Sequence, residues 1–120
     1  MTATSMFNIL AVEIHKDSHR WWHDLKTGER LERNKGELIA LMHSELSEML
    51  EAVRKNAKDD KLPHRSGEEV ELADLIIRAL DYAGAYGFDL DGAIAEKRAF
   101  NATRKDHSVE ARLAPDGKKF

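Results

Sequence analysis

Apolar side chains recur along most of this chain at intervals of three and four residues, the period of an amphipathic α-helix. At 100° per residue, the segment from Lys35 to Lys55 places Leu38, Ile39, Met42, Leu46, Met49, Leu50 and Val53 on one broad face, which Leu41 and Ala52 extend on one side. Ser44, Ser47, Glu51 and Lys55 fall on the opposite, solvated side. From Glu68 to Tyr86 the apolar residues run around nearly the whole circumference, which predicts a helix buried on most sides. A first helix is expected from Thr4 or Ser5 to His23, ending before the polar turn Lys26-Thr27-Gly28-Glu29. Asn34 is the expected N-cap of the second helix, and Gly87 the stop of the third. Asp89 or Asp91 caps a fourth helix that reaches about Thr103. Asn56 to Gly67, with Pro63, reads as a charged loop. The fold class is therefore all-α. We divide it into a helical domain, 1–105, and a charged tail, 106–120, which carries Pro115-Asp116-Gly117 and orders only by docking.

Two helices carry polar residues where apolar ones are expected. Glu45 lies inside the apolar extension of the second helix and Glu48 borders it. On the third, Glu71, Asp74, Arg78 and Asp81 form one narrow stripe at i, i+3, i+7 and i+10. Packing these helices together brings an E-x-x-E and an E-x-x-D pair into one half-buried cleft. Desolvation and mutual repulsion then oppose ionisation of all four carboxylates. A divalent cation relieves this conflict; solvated charges with Arg78 and Arg54 as counter-ions are the alternative.

Composition narrows the chemistry. The chain has 120 residues, one domain's worth, and no cysteine, which excludes disulfide scaffolds, thiolate metal sites and thiol nucleophiles. A metal must then bind oxygen or imidazole, and oxygen-only ligands select Mg²⁺, with Mn²⁺ as a substitute. The 19 basic and 22 acidic residues give a net charge of −3, which lacks the basic footprint of nucleic-acid binding. No apolar run approaches a membrane span and Met1 to Asn8 has no basic leader, so a cytoplasmic protein without a membrane partner is expected. A chain this short buries a limited share of its surface, and self-association would help it.

The runs His43-Ser44-Glu45-Leu46-Ser47-Glu48-Met49-Leu50-Glu51-Ala52 and Glu71-Leu72-Ala73-Asp74-Leu75-Ile76-Ile77-Arg78 are followed by Lys97, Asn101 and Arg104. Together they resemble the MazG-like branch of the all-α nucleoside triphosphate pyrophosphohydrolases, over about Trp21 to His107. The resemblance implies a four-helix antiparallel, bundle-like domain assembled as a homodimer or homotetramer. It implies hydrolysis of a nucleoside triphosphate to the monophosphate and pyrophosphate. It makes Glu45, Glu48, Glu71 and Asp74 the magnesium ligands, and Lys97, Asn101 and Arg104 phosphate contacts. One of Glu45 and Glu48 would act as general base toward the attacking water. The pair Trp21-Trp22 matches a position where relatives often carry an aromatic; adjacent residues cannot both face one pocket, and Trp22 is the one favoured, either to stack on the nucleobase or to plug the core against the second helix. Arg20 stands where relatives commonly place a glycine.

Other chemistries fit less well. His15, His19 and His23 form a row at fourth positions, but three ligands from one helix cannot surround an ion tetrahedrally. A di-iron bundle needs Glu-x-x-His pairs, and here the fourth positions are Glu48 and Asp74. Nucleophile-elbow, P-loop and Rossmann glycine patterns are absent. A non-catalytic helical oligomer and a phosphoribosyl-ATP pyrophosphohydrolase of the same superfamily remain as alternatives.

Overall fold

A computed structural model describes residues 5–120 and is all-helical. Its elements are α1 (Met6–Asp17), α2 (His19–Trp22), α3 (Lys35–Lys55), α4 (Gly67–Ala85), α5 (Leu90–Thr103), a 3₁₀ turn (Lys105–His107) and α6 (Val109–Leu113). Among the described residues there is no β-strand, only isolated bridges between His23 and Arg30 and between Lys58 and Ser66. No helix among them is long and apolar enough to cross a membrane.

Local chemistry sets the boundaries. Asn34 accepts a hydrogen bond from the Glu37 N–H at 3.0 Å and opens α3. Asn56 closes it in the left-handed region, at φ 49°. Ser66 and Glu69 form a reciprocal capping box at the start of α4, and Gly87, at φ 65°, follows its end. Asp89 caps α5 through the Gly92 N–H. Asp91 instead serves the first helix, where its carboxylate accepts from the Phe7 and Asn8 N–H groups at 3.2 and 2.8 Å. Asn8 Oδ1 in turn accepts from the Leu90 and Asp91 N–H groups, so α1 and α5 cap one another.

The first helix departs from expectation. It breaks at Ser18, whose φ and ψ of −90° and 9° leave the helical region, and one further turn, α2, ends at Trp22. A start at Thr4 lies outside the described residues. The tail carries a 3₁₀ turn and the short helix α6. Ser108 caps α6, and Arg104 grips Asp106 at 3.0 and 2.6 Å. These elements pack on one another and on the end of α5.

Helices α3 and α4 pack antiparallel. Ala52 meets Gly67 at one end, Glu45 meets Asp74 midway, and Leu38 and Asp81 share a cavity at the other. Helix α1 crosses α4 where Ala11 lies against Gly84, and the buried core there is Ala11, Leu80 and Ala83, supported by Ile14 and Leu90. This core is small. Leu72, Ile76 and Ile77 of α4 remain nearly half exposed, as do Ile39 and Leu46 of α3, and Leu50 and Val53 are more than half exposed. A helix apolar on most sides is thus covered on only some of them by its own chain. The accessible area of 9504 Å² exceeds the roughly 6,600 Å² expected of a compact chain of this mass. The radius of gyration of 18.4 Å likewise exceeds the ~14 Å expected.

Candidate functional site

Glu45 projects from the α3 seam that faces α4, between the packed Leu38, Leu41 and Met42 on one side and Met49 and Ala52 on the other, and is only 6% exposed. Glu71 and Asp74, three residues apart on α4, point back at it. One carboxylate oxygen from each of the three lies within 4.8 Å of the others. Glu48, one turn along α3, is exposed at the rim, and its charge acts on both Glu45 and Glu71. Three of the four acidic positions singled out in the sequence, Glu45, Glu71 and Asp74, therefore come together, and Glu48 lies outside that group. Glu51 does not join them: it pairs with Lys55 at 3.1 Å and Arg54 at 3.7 Å on the solvated side.

The electrostatics are those of crowded, partly desolvated anions. Burial first, then the Glu48, Glu45 and Asp74 carboxylates, push the Glu71 carboxyl up to about 7. Glu45 is also raised, by burial and by Glu48, against the pull of the Arg78 guanidinium. Arg78 Nε stands 3.7 Å from Glu45 Oε1. Glu71 Oε2 is buried without a hydrogen-bond partner, an arrangement that costs on the order of 1–3 kcal/mol unless a ligand completes it. An all-carboxylate donor set with one orphaned oxygen fits a hard divalent cation, so Glu45, Glu71 and Asp74, with Glu48 beside them, are the residues that would hold Mg²⁺ or Mn²⁺.

A cavity of about 550 Å³ opens from this cluster. Glu45, Asp74 and Arg78 line one end, and Trp21, Ser18 and Arg33 the other. The tryptophan assignment must be corrected. Trp22 is 1% exposed, its Nε1–H donating to Asp81 at 2.9 Å, so its ring offers no face to a nucleobase. Arg30 and Arg33 lie 5.3 and 5.2 Å from its centroid. Trp21, on the other side of the short α2, is 58% exposed and lines the cavity. Asp81 fixes this arrangement, because Oδ1 also lies 2.8 Å from His15 Nδ1. Arg30 Nη1 lies 3.3 Å from His15 Nε2, on the other side of the ring.

Lys97, Asn101 and Arg104 are not brought to this cavity. Helix α5 packs mainly on α1, Lys97 lies over the Phe100 ring, and Arg104 is held by Asp106. Asn101 and Arg104 line a separate hollow with residues of the tail. The histidine row shares no ligand point: His15 meets Asp81, while His23 Nδ1 meets the His19 carbonyl oxygen at 2.9 Å. Sequence reasoning favoured Trp22 over Trp21, and missed Arg33 and Ser18 as cavity residues. Adjacent tryptophans on a helix point about 100° apart and cannot both face one pocket, and the distant Asp81 holds Trp22 as the buried one.

No protein-family model, curated protein or solved structure matches this chain.

Proposed function

We propose that this chain hydrolyses a nucleoside triphosphate to the monophosphate and pyrophosphate, with Mg²⁺ or Mn²⁺ held by Glu45, Glu71 and Asp74. The observation that supports this most is the convergence of those three carboxylates around the orphaned Glu71 Oε2, beside a cavity that also offers an exposed indole and two guanidinium groups. The three carboxylates would hold a cation that, when bound, would supply charge neutralisation to the phosphates and lower the pKa of a water beside it. Glu48, exposed at the rim, is the carboxylate free to take that water's proton, while Glu45, buried on the seam, serves as ligand. Trp21 binds the nucleoside by stacking, in place of Trp22.

The working form is a self-assembled oligomer. The accessible area exceeds that of a compact monomer by roughly 2,900 Å², and the open apolar faces of α1, α3 and α4 contribute to it. It matches the interface of an obligate homodimer or larger assembly. Such assembly alone would also suit a non-catalytic scaffold, so chemistry must separate the two.

The expected result for purified protein with Mg²⁺ and a panel of ribo- and deoxynucleoside triphosphates, phosphoribosyl-ATP included, is release of pyrophosphate and a monophosphate. The same preparation sediments with at least twice the 13.6 kDa chain mass. Release of diphosphate and orthophosphate, or no turnover of any member, would contradict the proposal.

A further inference from the structure

The phosphate contacts implied for Lys97, Asn101 and Arg104 lie on a helix that does not line the cavity. The cavity's own cations are Arg33 and Arg78. Arg33 is already stacked against the buried Trp22 ring, 5.2 Å from its centroid. Arg78 is placed differently. Among the described residues its guanidinium makes no hydrogen bond, its side chain is 41% exposed, and its one ion pair is the 3.7 Å approach to Glu45. That separation is too long for a hydrogen bond and leaves the five N–H donors uncommitted. Arg78 also follows Asp74 by four residues, which puts both on the face of α4 that borders the cavity.

We propose that Arg78 is the phosphate anchor of this cavity: it balances Glu45 in the cation-free protein and grips the substrate's polyphosphate when a divalent cation takes its place. The assignment rests on the pyrophosphohydrolase reading and deepens it. A divalent cation in direct contact with Glu45 interacts more strongly than a monovalent guanidinium at 3.7 Å, through both its charge and its shorter distance. The displaced guanidinium then faces the cavity beside the carboxylates. There its planar fork matches two oxygens of a phosphate, which a lysine ammonium would not do.

The experiment measures two affinities on native protein, Arg78→Ala and Arg78→Lys. One is for Mn²⁺ alone, by electron paramagnetic resonance. The other is for an α,β-imido nucleoside triphosphate at saturating Mn²⁺, which cannot turn over. Arg78→Ala is expected to bind Mn²⁺ as tightly as native protein or up to about threefold tighter, because a competing cation is gone. It is expected to bind the analogue roughly ten- to a hundredfold more weakly. Arg78→Lys recovers only part of that loss. Analogue affinity within twofold of native in Arg78→Ala, or Mn²⁺ and analogue weakened together, would overturn the assignment while leaving the metal reading intact. Native protein that binds no Mn²⁺ would overturn the reading beneath it.

Discussion

Glu71→Gln is expected to make the cation-free protein more stable and to abolish its chemistry. In native protein the Glu71 carboxyl ionises only near pH 7, against an ordinary value of 4.5, because burial and three neighbouring carboxylates oppose its charge. A raised carboxyl contributes stability that is fully present below the unfolded-state value and is lost as pH rises through the folded-state value. The native melting temperature in EDTA therefore falls between about pH 5 and pH 8, and the glutamine variant, which cannot ionise at that position, falls less. The two melt closely at pH 5, and the variant melts higher by about 5 °C at pH 8. Millimolar Mg²⁺ raises the native melting temperature at pH 8, by mass action on the folded state, and leaves the variant nearly unchanged. Pyrophosphate release by the variant falls at least about a hundredfold, since an amide neither balances nor orients a divalent ion. Thermal scans at three pH values with EDTA or Mg²⁺ check all of this, and a variant less stable than native protein at pH 8 would contradict it. Few substitutions are expected to trade function for stability so directly.

Gly84→Ala is expected to cost about 3 kcal/mol and lower the melting temperature by about 10–15 °C. The reason is geometric. An added Cβ would overlap the Ala11 carbonyl oxygen and lie 2.9 Å from His15 Cβ, and the obstacle is α1 backbone rather than the end of a flexible side chain. Only separation of α1 from α4 makes room, and this opens the Ala11, Leu80 and Ala83 core. It also draws His15 away from Asp81 and so loosens the support of Trp22. Trp21 is the neighbour of Trp22 in α2, so under its proposed stacking role substrate affinity should fall along with stability. A melting temperature within about 3 °C of native would show that the helices part without strain.

The helical content, most helix boundaries and the acidic cluster were legible because each depends on signals local to one or two helices. Asn34 and Asp89 act within four residues of their own position. Glu45 stood out because a carboxylate on an apolar face is costly, and the structure indeed buries it. The features that were not legible depend on long-range partners. Asp91 caps a helix that begins more than eighty residues earlier, although spacing alone allowed it to cap its own. The break at Ser18 follows no glycine or proline; beyond it, the indole of Trp22 reaches Asp81 from across the fold. Local periodicity could not choose between Trp21 and Trp22 without knowing where Asp81 lies. Helix α4 read as buried on most sides from composition alone, and its own chain leaves Leu72, Ile76 and Ile77 partly open, which is the surface assigned here to a second copy.

Diffraction from crystals grown with Mn²⁺, recorded at the manganese absorption edge, tests the central claim most directly. An anomalous peak is expected about 2.0–2.2 Å from carboxylate oxygens of Glu45, Glu71 and Asp74, with the Arg78 guanidinium turned away from Glu45. Crystals that show no peak there at millimolar Mn²⁺, with Arg78 still resting on Glu45, would contradict it.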